Sequence, residues 1–145
     1  MHPEQIVCIQ SSFAQVLPIA DVAAALFYQR LFELDPRLRP LFSGDLSEQG
    51  RKLMTMLQVV VNGLTRLDAL IPAVQTLGRR HVGYGVTDEH YETVGEALLW
   101  TLHQGLGEHF TPNVAAAWAT AYALLADVMK QAAAETDDVV TMVRS

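Results

Sequence analysis

One histidine stands where the surrounding pattern calls for a core residue. Four residues at spacings of four, three and four share one face of a predicted helix: Leu70, Val74, Leu77 and His81. Arg79 and Arg80 precede the histidine on other faces. An imidazole that points inward from a last helical turn is either a metal ligand or a core group whose two ring nitrogens both need partners. Taken alone, the core interpretation is the commoner one.

Three other polar side chains occupy positions of the same kind. Gln49 heads a stripe whose later members are all apolar: Leu53, Met56, Val60 and Leu64. Tyr28 carries its hydroxyl into an apolar face, and Tyr91 begins a further stripe that includes Val94. Each could be structural, since a first-turn glutamine can be partly exposed and a buried tyrosine normally finds a hydrogen-bond partner. Together with His81 they predict an apolar cavity with a few polar side chains directed into it.

An apolar cavity with one inward histidine suits a haem. The macrocycle is a large apolar disc that needs hydrophobic walls, and its iron takes a neutral imidazole as proximal ligand. Its propionates need cations at the rim, a role open to four residues: Arg51, Lys52, Arg79 and Arg80. Bound dioxygen acquires partial negative charge, so a phenol hydroxyl and an amide donor are suitable groups for the opposite side.

The elements that must position these residues are helices. Pro and Gly signals, caps and apolar spacing predict a series of helices and no strand. Their expected bounds are Pro3–Val16, Ile19–Leu34, Pro36–Phe42, a helix capped by Ser47 that reaches about Gly63, Asp68–His81, a helix capped by Thr87 that stops at Gly105 and Gly107, and a final helix from Thr111-Pro112. The fold class predicted is all-α.

Composition limits the classes of function. The chain has 145 residues, of which 50% are hydrophobic and 18% charged, which fits one domain with a real core. A net charge of −6 without a basic cluster argues against a nucleic-acid surface. The apolar runs are too short for a membrane span, and no secretory signal is visible. Cys8 is the only cysteine, which excludes an internal disulfide and a thiolate zinc site and favours a reducing, cytoplasmic location.

The order of these residues resembles that of a bacterial single-domain haemoglobin of the flavohaemoglobin-type globin family. The segments that carry the resemblance are Phe27-Tyr28, Arg39-Pro40-Leu41-Phe42, Gln49–Met54, Leu77–His81, Tyr84-Gly85-Val86, His90-Tyr91, Val94-Gly95, and Trp118 with Tyr122. The resemblance covers a core from about residue 5 to 132. It implies one globin domain over residues 1–145, with a tail from about 136 to 145 that we expect to be disordered.

What the resemblance implies is a three-over-three helical sandwich around one haem b. His81 would be the axial iron ligand, Tyr28 and Gln49 the distal donors, Leu53 the residue above the iron, and Phe42 a ring against the porphyrin. Tyr91 would lie on the proximal side and orient His81 through a second-shell contact. The remaining wall and rim residues would be Leu41, Met56, Leu77, Arg80, Val86, Val94 and Tyr122.

One position departs from the family pattern. In flavohaemoglobin-type globins a glutamate of the last helix joins the proximal tyrosine and histidine. Fifteen residues after Trp118 the matching position here is Ala133, and Glu135 lies about 200° further round a helix. The sequence therefore does not predict the peroxidase-like donation of electron density to the iron that this glutamate supports. No flavin or nicotinamide domain follows, so we expect turnover to need a separate reductase.

Three functions are compatible with this site. The first is reversible binding of O₂, and of NO and CO, to ferrous haem, for oxygen binding and transport or NO detoxification. The second is NO dioxygenation, for which the Tyr28–Gln49 pair is suitable when a reductase restores ferrous iron. The third is a haem-based gas sensor or a globin-fold interaction module without redox turnover.

Overall fold

Six α-helices form the part of the chain that the structure describes. The computed structural model describes residues 1–42, 44–83 and 86–144, with the backbone alone for residues 82, 83 and 135–144. The helices are α1 (Pro3–Val16), α2 (Ala20–Leu34), α3 (Leu46–Gly63), α4 (Leu67–Gly83), α5 (Asp88–Leu106) and α6 (Pro112–Arg144). Four short 3₁₀ segments lie between them: Leu17–Ile19, Pro36–Leu41, Leu64–Arg66 and Gly107–His109. The all-α prediction is confirmed.

Most predicted boundaries agree with the structure, and two are wrong for local reasons. The second helix begins at Ala20 rather than Ile19, because Pro18 lies in a 3₁₀ segment that joins it to α1. The cap of α3 is Asp45 and not Ser47, because the Asp45 carboxylate accepts a hydrogen bond of 2.9 Å from the Ser47 backbone N–H. The Asp45 cap fixes where α3 begins, and it therefore places Gln49 in the first turn of α3.

The helices form two layers of three, with α1, α3 and α4 over α2, α5 and α6. The most extensive pairings are of α4 with α6 and of α2 with α5 and α3. At the crossing of α2 with α3, a Cβ atom on Gly50 would lie 2.9 Å from the Cβ atom of Ala24, so the backbones approach closely only because residue 50 is glycine. This crossing brings the start of α3 beside Tyr28.

The hydrophobic core contains side chains from all six helices. Ile9, Leu31 and Leu64 are its largest fully buried side chains. Ser12 of α1 is buried and accepts a hydrogen bond of 2.8 Å from the Trp118 indole Nε1 of α6. Its own hydroxyl is 2.7 Å from the Cys8 carbonyl oxygen, to which it donates. This pair joins the first and last helices through satisfied polar groups inside the core.

Two helical stretches are long and apolar enough to cross a membrane when judged by length and composition alone. They are Pro3–Leu34 and Leu46–His81, with mean hydropathies of 1.5 and 1.2. Each contains a 3₁₀ segment and supplies buried core side chains such as Leu31 and Leu64. Core helices of soluble proteins satisfy the same criterion, so the expectation of no membrane span stays a prediction.

The C-terminal part of α6 extends beyond the predicted core. The backbone of this helix continues to Arg144, while the side chains of residues 135–144, including Glu135, lie outside the described residues. The expected division into a core over residues 5–132 and a disordered tail from about 136 to 145 therefore stays a prediction.

Candidate functional site

A large apolar cavity lies between the two layers. Its volume is about 480 Å³, within the range of ~300–1,000 Å³ that is typical of small-molecule and cofactor sites. Side chains of α2, α3, α4, α5, α6 and the Pro36–Leu41 segment line it. A cavity walled by five helices and open to solvent can take a flat apolar group. The polar side chains that line the cavity decide which group binds.

His81 is the polar group that enters the cavity from α4. Its Nδ1 atom is 2.6 Å from the Leu77 carbonyl oxygen, which can only accept a hydrogen bond, so Nδ1 carries the proton and donates. A neutral imidazole that donates from Nδ1 keeps its lone pair on Nε2, which is the tautomer of a metal ligand held in orientation by a second-shell carbonyl. The His81 carbonyl oxygen accepts from the Val86 N–H at 3.1 Å, which ties the chain after α4 to this helix end.

Two tyrosines lie beside this histidine. The ring centroids of Tyr91 and His81 are 6.4 Å apart. The Tyr122 hydroxyl donates to the Tyr91 carbonyl oxygen at 2.5 Å, and burial raises the pKa of Tyr122 well above its usual value, helped by the neighbouring Tyr91. Burial, together with the Asp88 carboxylate, also raises the pKa of Tyr91. Both phenols are therefore neutral hydrogen-bond donors at physiological pH.

Helix α3 forms another wall of the cavity. Residues of the stripe predicted from the sequence line the cavity: Gln49, Leu53, Met56 and Val60. The neighbouring face of α3 packs into the core instead, where Met54 and Val61 are buried. Helix α3 thus separates the core from the cavity and presents the Gln49 amide at the cavity's edge.

Tyr28 does not line the cavity. Its side chain is 6% exposed and lies behind the wall in an aromatic cluster, with its ring centroid 5.4 Å from that of Phe42 and 6.1 Å from that of Phe32. Burial raises the pKa of Tyr28 to about 12. Phe42 itself faces the cavity. The structure therefore places Tyr28 one ring away from the cavity, and its role as a distal donor stays a prediction.

Charged residues at the cavity are few. Lys52 and His90 line it, and the His90 Nδ1 atom accepts a hydrogen bond of 3.0 Å from the Thr87 N–H at the start of α5. Arg80 is exposed and is not one of the lining residues. Lys52 is suitably placed to meet an anionic group, and the rim role expected for Arg80 stays a prediction.

The structure brings most of the predicted residues to this one cavity. Those that line it are His81, Leu41, Phe42, Gln49, Leu53, Met56, Leu77, Val86, Tyr91, Val94 and Tyr122. Tyr84 and Gly85, which carried part of the resemblance, lie outside the described residues.

The sequence reasoning missed part of the wall. Leu38, of the 3₁₀ segment, and three residues of α6 also line the cavity: Leu125, Ala126 and Met129. The α6 residues follow Tyr122 at helical spacing, so extending the stripe from Tyr122 would have found them. Leu38 follows no such period because it lies in a short 3₁₀ segment between prolines.

Comparisons with known proteins agree with this architecture. A family model for globins matches residues 25–129. A flavohemoprotein of Bordetella parapertussis is 35% identical over 106 residues, which are 71% of this chain and 26% of that protein. A flavohemoprotein of Rhodopirellula baltica is 30% identical over 112 residues, 75% of this chain and 28% of that protein. The chain thus spans about a quarter of the length of these relatives.

Two solved structures share the fold. One is an engineered carbene transferase that is described as a nitric oxide dioxygenase from Rhodothermus marinus, with 25% identity, a TM-score of 0.86, and coverage of 97% of this chain and 99% of that one. The other is a globin of Campylobacter jejuni with 23% identity, a TM-score of 0.82, and coverage of 94% and 99%. Family membership and the flavohemoprotein relatives imply haem binding. The two layers of helices around an apolar cavity, and the match over residues 25–129, show that this chain belongs to the globin family.

Proposed function

We propose that this globin binds haem b in the cavity through His81 and takes a diatomic gas, O₂ above all, on the opposite side. The observation that carries the proposal is the tautomer of His81, whose Nδ1 donates to the Leu77 carbonyl oxygen at 2.6 Å. That hydrogen bond leaves the Nε2 lone pair as the coordinating atom and limits rotation of the ring. A ferrous haem supplies an iron centre that binds O₂, NO and CO.

The walls support the same proposal. Phe42, Leu53 and Met56 give the cavity an apolar lining, while Lys52 and His90 line the same cavity and would offer cationic or donor partners to propionate groups. In this arrangement Leu53 limits access to the distal space. Gln49 and Tyr28 act as hydrogen-bond donors to the gas bound in this space. Gln49 donates from the edge of the cavity. Tyr28 lies behind Phe42 and donates after a change of its side-chain rotamer.

Absorption spectra of the ferric, reduced and CO-bound protein test the proposal. We expect a five-coordinate ferrous spectrum that changes on addition of CO, with one haem per chain. The His81→Ala variant should lose this spectrum, whereas His103→Ala should retain it, because His103 stacks on Phe110 at the far end of α5. Retention of the parent spectrum in His81→Ala would overturn the assignment of the axial ligand.

A second function, NO dioxygenation, is favoured by the relatives. Flavohemoproteins and a protein described as a nitric oxide dioxygenase are similar to this chain. Turnover would need electrons from a reductase, which we propose to be a separate partner in the cytoplasm. Steady-state NO consumption with added reductase supports this function, whereas a single stoichiometric burst with or without reductase excludes it.

A sensor or interaction module without redox turnover is the remaining alternative. This alternative predicts that the protein carries out no reaction on a bound gas, and no particular residue distinguishes it. A haem content near zero after expression with haem supplied would favour an interaction module. A haem protein that binds CO but consumes no NO under reducing conditions would leave reversible gas binding or sensing.

A further inference from the structure

The His81 side of the cavity contains a buried hydroxyl that has no acceptor. Tyr91 is 8% exposed and lines the cavity, and its hydroxyl oxygen has no hydrogen-bond partner within the described part of the chain. A buried hydroxyl without a partner loses its hydration and gains no hydrogen bond in return. Such a group is retained where something other than stability selects it.

Helix α6 packs against Tyr91, since the Tyr122 hydroxyl donates to the Tyr91 carbonyl oxygen. Along α6 the cavity side is formed by Tyr122, Ala126 and Met129, and the next position on that face, four residues after Met129, is Ala133. The methyl side chain of Ala133 can accept no hydrogen bond. The resemblance to flavohaemoglobin-type globins implies a glutamate at this position, and here the position is apolar.

A cation lies on the face of the same ring. The Lys130 ammonium nitrogen is 5.6 Å from the Tyr91 ring centroid, and this half-buried lysine forms no ion pair among the described residues. The nearest acidic influence on Tyr91 is Asp88, one turn earlier on α5, which is exposed and acts through solvent. Within the described part of the chain, a positive charge therefore lies over the face of the Tyr91 ring.

We infer that Lys130, acting through the Tyr91 ring, raises the reduction potential of an iron held by His81. The inference rests on the proposed function, in which His81 is the axial ligand. Ferric iron carries one more positive charge than ferrous iron, so a nearby cation disfavours the ferric form. A positive charge near this site therefore acts in the direction opposite to that of a carboxylate. Lys130 is therefore a positioning residue that keeps the site ferrous and ready for gas binding.

The test is the midpoint potential of the haem-loaded protein, measured by spectroelectrochemistry. We expect Lys130→Gln to shift the midpoint to a more negative value and Lys130→Arg, which keeps the charge, to preserve it. Arg66→Gln is the matched control, since Arg66 is exposed in the 3₁₀ segment before α4, fifteen residues before His81 and therefore about 22 Å away at the helical rise. An unchanged midpoint in Lys130→Gln, or an equal shift in Arg66→Gln, would overturn the inference.

A second pair of variants tests the missing acceptor. Relative to the parent protein, Ala133→Glu should lower the midpoint potential, because the new carboxylate adds a negative charge and can accept a hydrogen bond from Tyr91. Ala133→Gln should change the midpoint potential little. Equal shifts in the two variants would contradict an electrostatic cause. A protein that takes up no haem would overturn the proposed function and this inference together. A haem-loaded protein with His81 ligation and no response to Lys130 or Ala133 would overturn this inference alone.

Discussion

Gly78 of α4 lies directly against the backbone of Met129 in α6. A Cβ atom on Gly78 would be 2.5 Å from the Met129 carbonyl oxygen and 2.7 Å from its Cα atom, and backbone atoms cannot yield as the end of a flexible side chain can. This contact sets the separation between α6 and α4, the helix that carries His81. Since Gly78 precedes His81 by less than one turn, a shift of α4 here would reach the imidazole.

Replacing Gly78 by Ala should therefore destabilise the protein. Forced displacement of packed backbone costs about 1–3 kcal/mol, which exceeds the gain of roughly 1 kcal/mol from alanine's helix propensity. Urea denaturation of the parent and the variant measures the difference. Gly105→Ala is the control, because its Cβ would meet the Ile19 Cδ1 atom at 3.5 Å and the Val16 Cγ2 atom at 3.9 Å, which are ordinary contacts. We expect the control to be as stable as the parent or more so; equal stability of both variants would contradict the close approach.

The distal role proposed for Tyr28 has a kinetic signature. Removal of its hydroxyl in Tyr28→Phe should speed O₂ dissociation about fivefold, since a neutral hydrogen bond contributes about 1 kcal/mol. Stopped-flow measurement of O₂ release gives the rate. Dissociation of CO from the same variant is the internal control, because bound CO carries less negative charge and depends less on a donor. If O₂ and CO dissociation change by the same factor, the hydroxyl does not bond to the ligand and the effect is one of packing.

Alkaline pH provides an independent test of how deeply the Tyr28 phenol is buried. Burial raises its pKa from 10.0 to about 12, so the unfolded chain releases this proton first as the pH rises. The free energy of unfolding should be unaffected by Tyr28 below pH 10 and should fall between pH 10 and pH 12. The fall should be smaller in Tyr28→Phe, though not absent, because burial also raises the pKa of Tyr91 and Tyr122. Parallel curves for parent and variant would show that the phenol is as hydrated as in the unfolded chain.

Helix α3 illustrates what spacing in the sequence can predict. Its apolar residues occupy two adjacent faces, with Leu53 and Val60 on the cavity and Met54 and Val61 in the core. The stripe headed by Gln49 identified the cavity face because a polar residue at its end marks a solvent-accessible edge. Periodicity groups the residues of one helix correctly, since the geometry of a helix is fixed.

Tyr28 illustrates what spacing cannot predict. The sequence placed it on the inward face of α2, which is correct, but its position behind Phe42 depends on how closely α2 approaches α3. That distance is set by Gly50 against Ala24, a contact between two helices that no repeat within one helix reveals. The acceptor of the His81 Nδ1 proton belongs to the same helix, four residues earlier, but the side-chain rotamer that selects this acceptor depends on the neighbouring elements.

The buried pair of Ser12 and Trp118 gives a stability test that is independent of any ligand. Ser12→Ala removes the acceptor at 2.8 Å from the Trp118 indole nitrogen and leaves that N–H buried without a partner. The expected cost is about 1–3 kcal/mol, measured by urea denaturation with Trp fluorescence as one probe and circular dichroism as the other. Thr76→Ala is the control, because it also removes a hydroxyl that donates to the carbonyl four residues earlier, but on an exposed surface. The control should change stability by less than about 0.5 kcal/mol, and a Ser12→Ala effect of the same small size would mean that water satisfies the indole after the substitution.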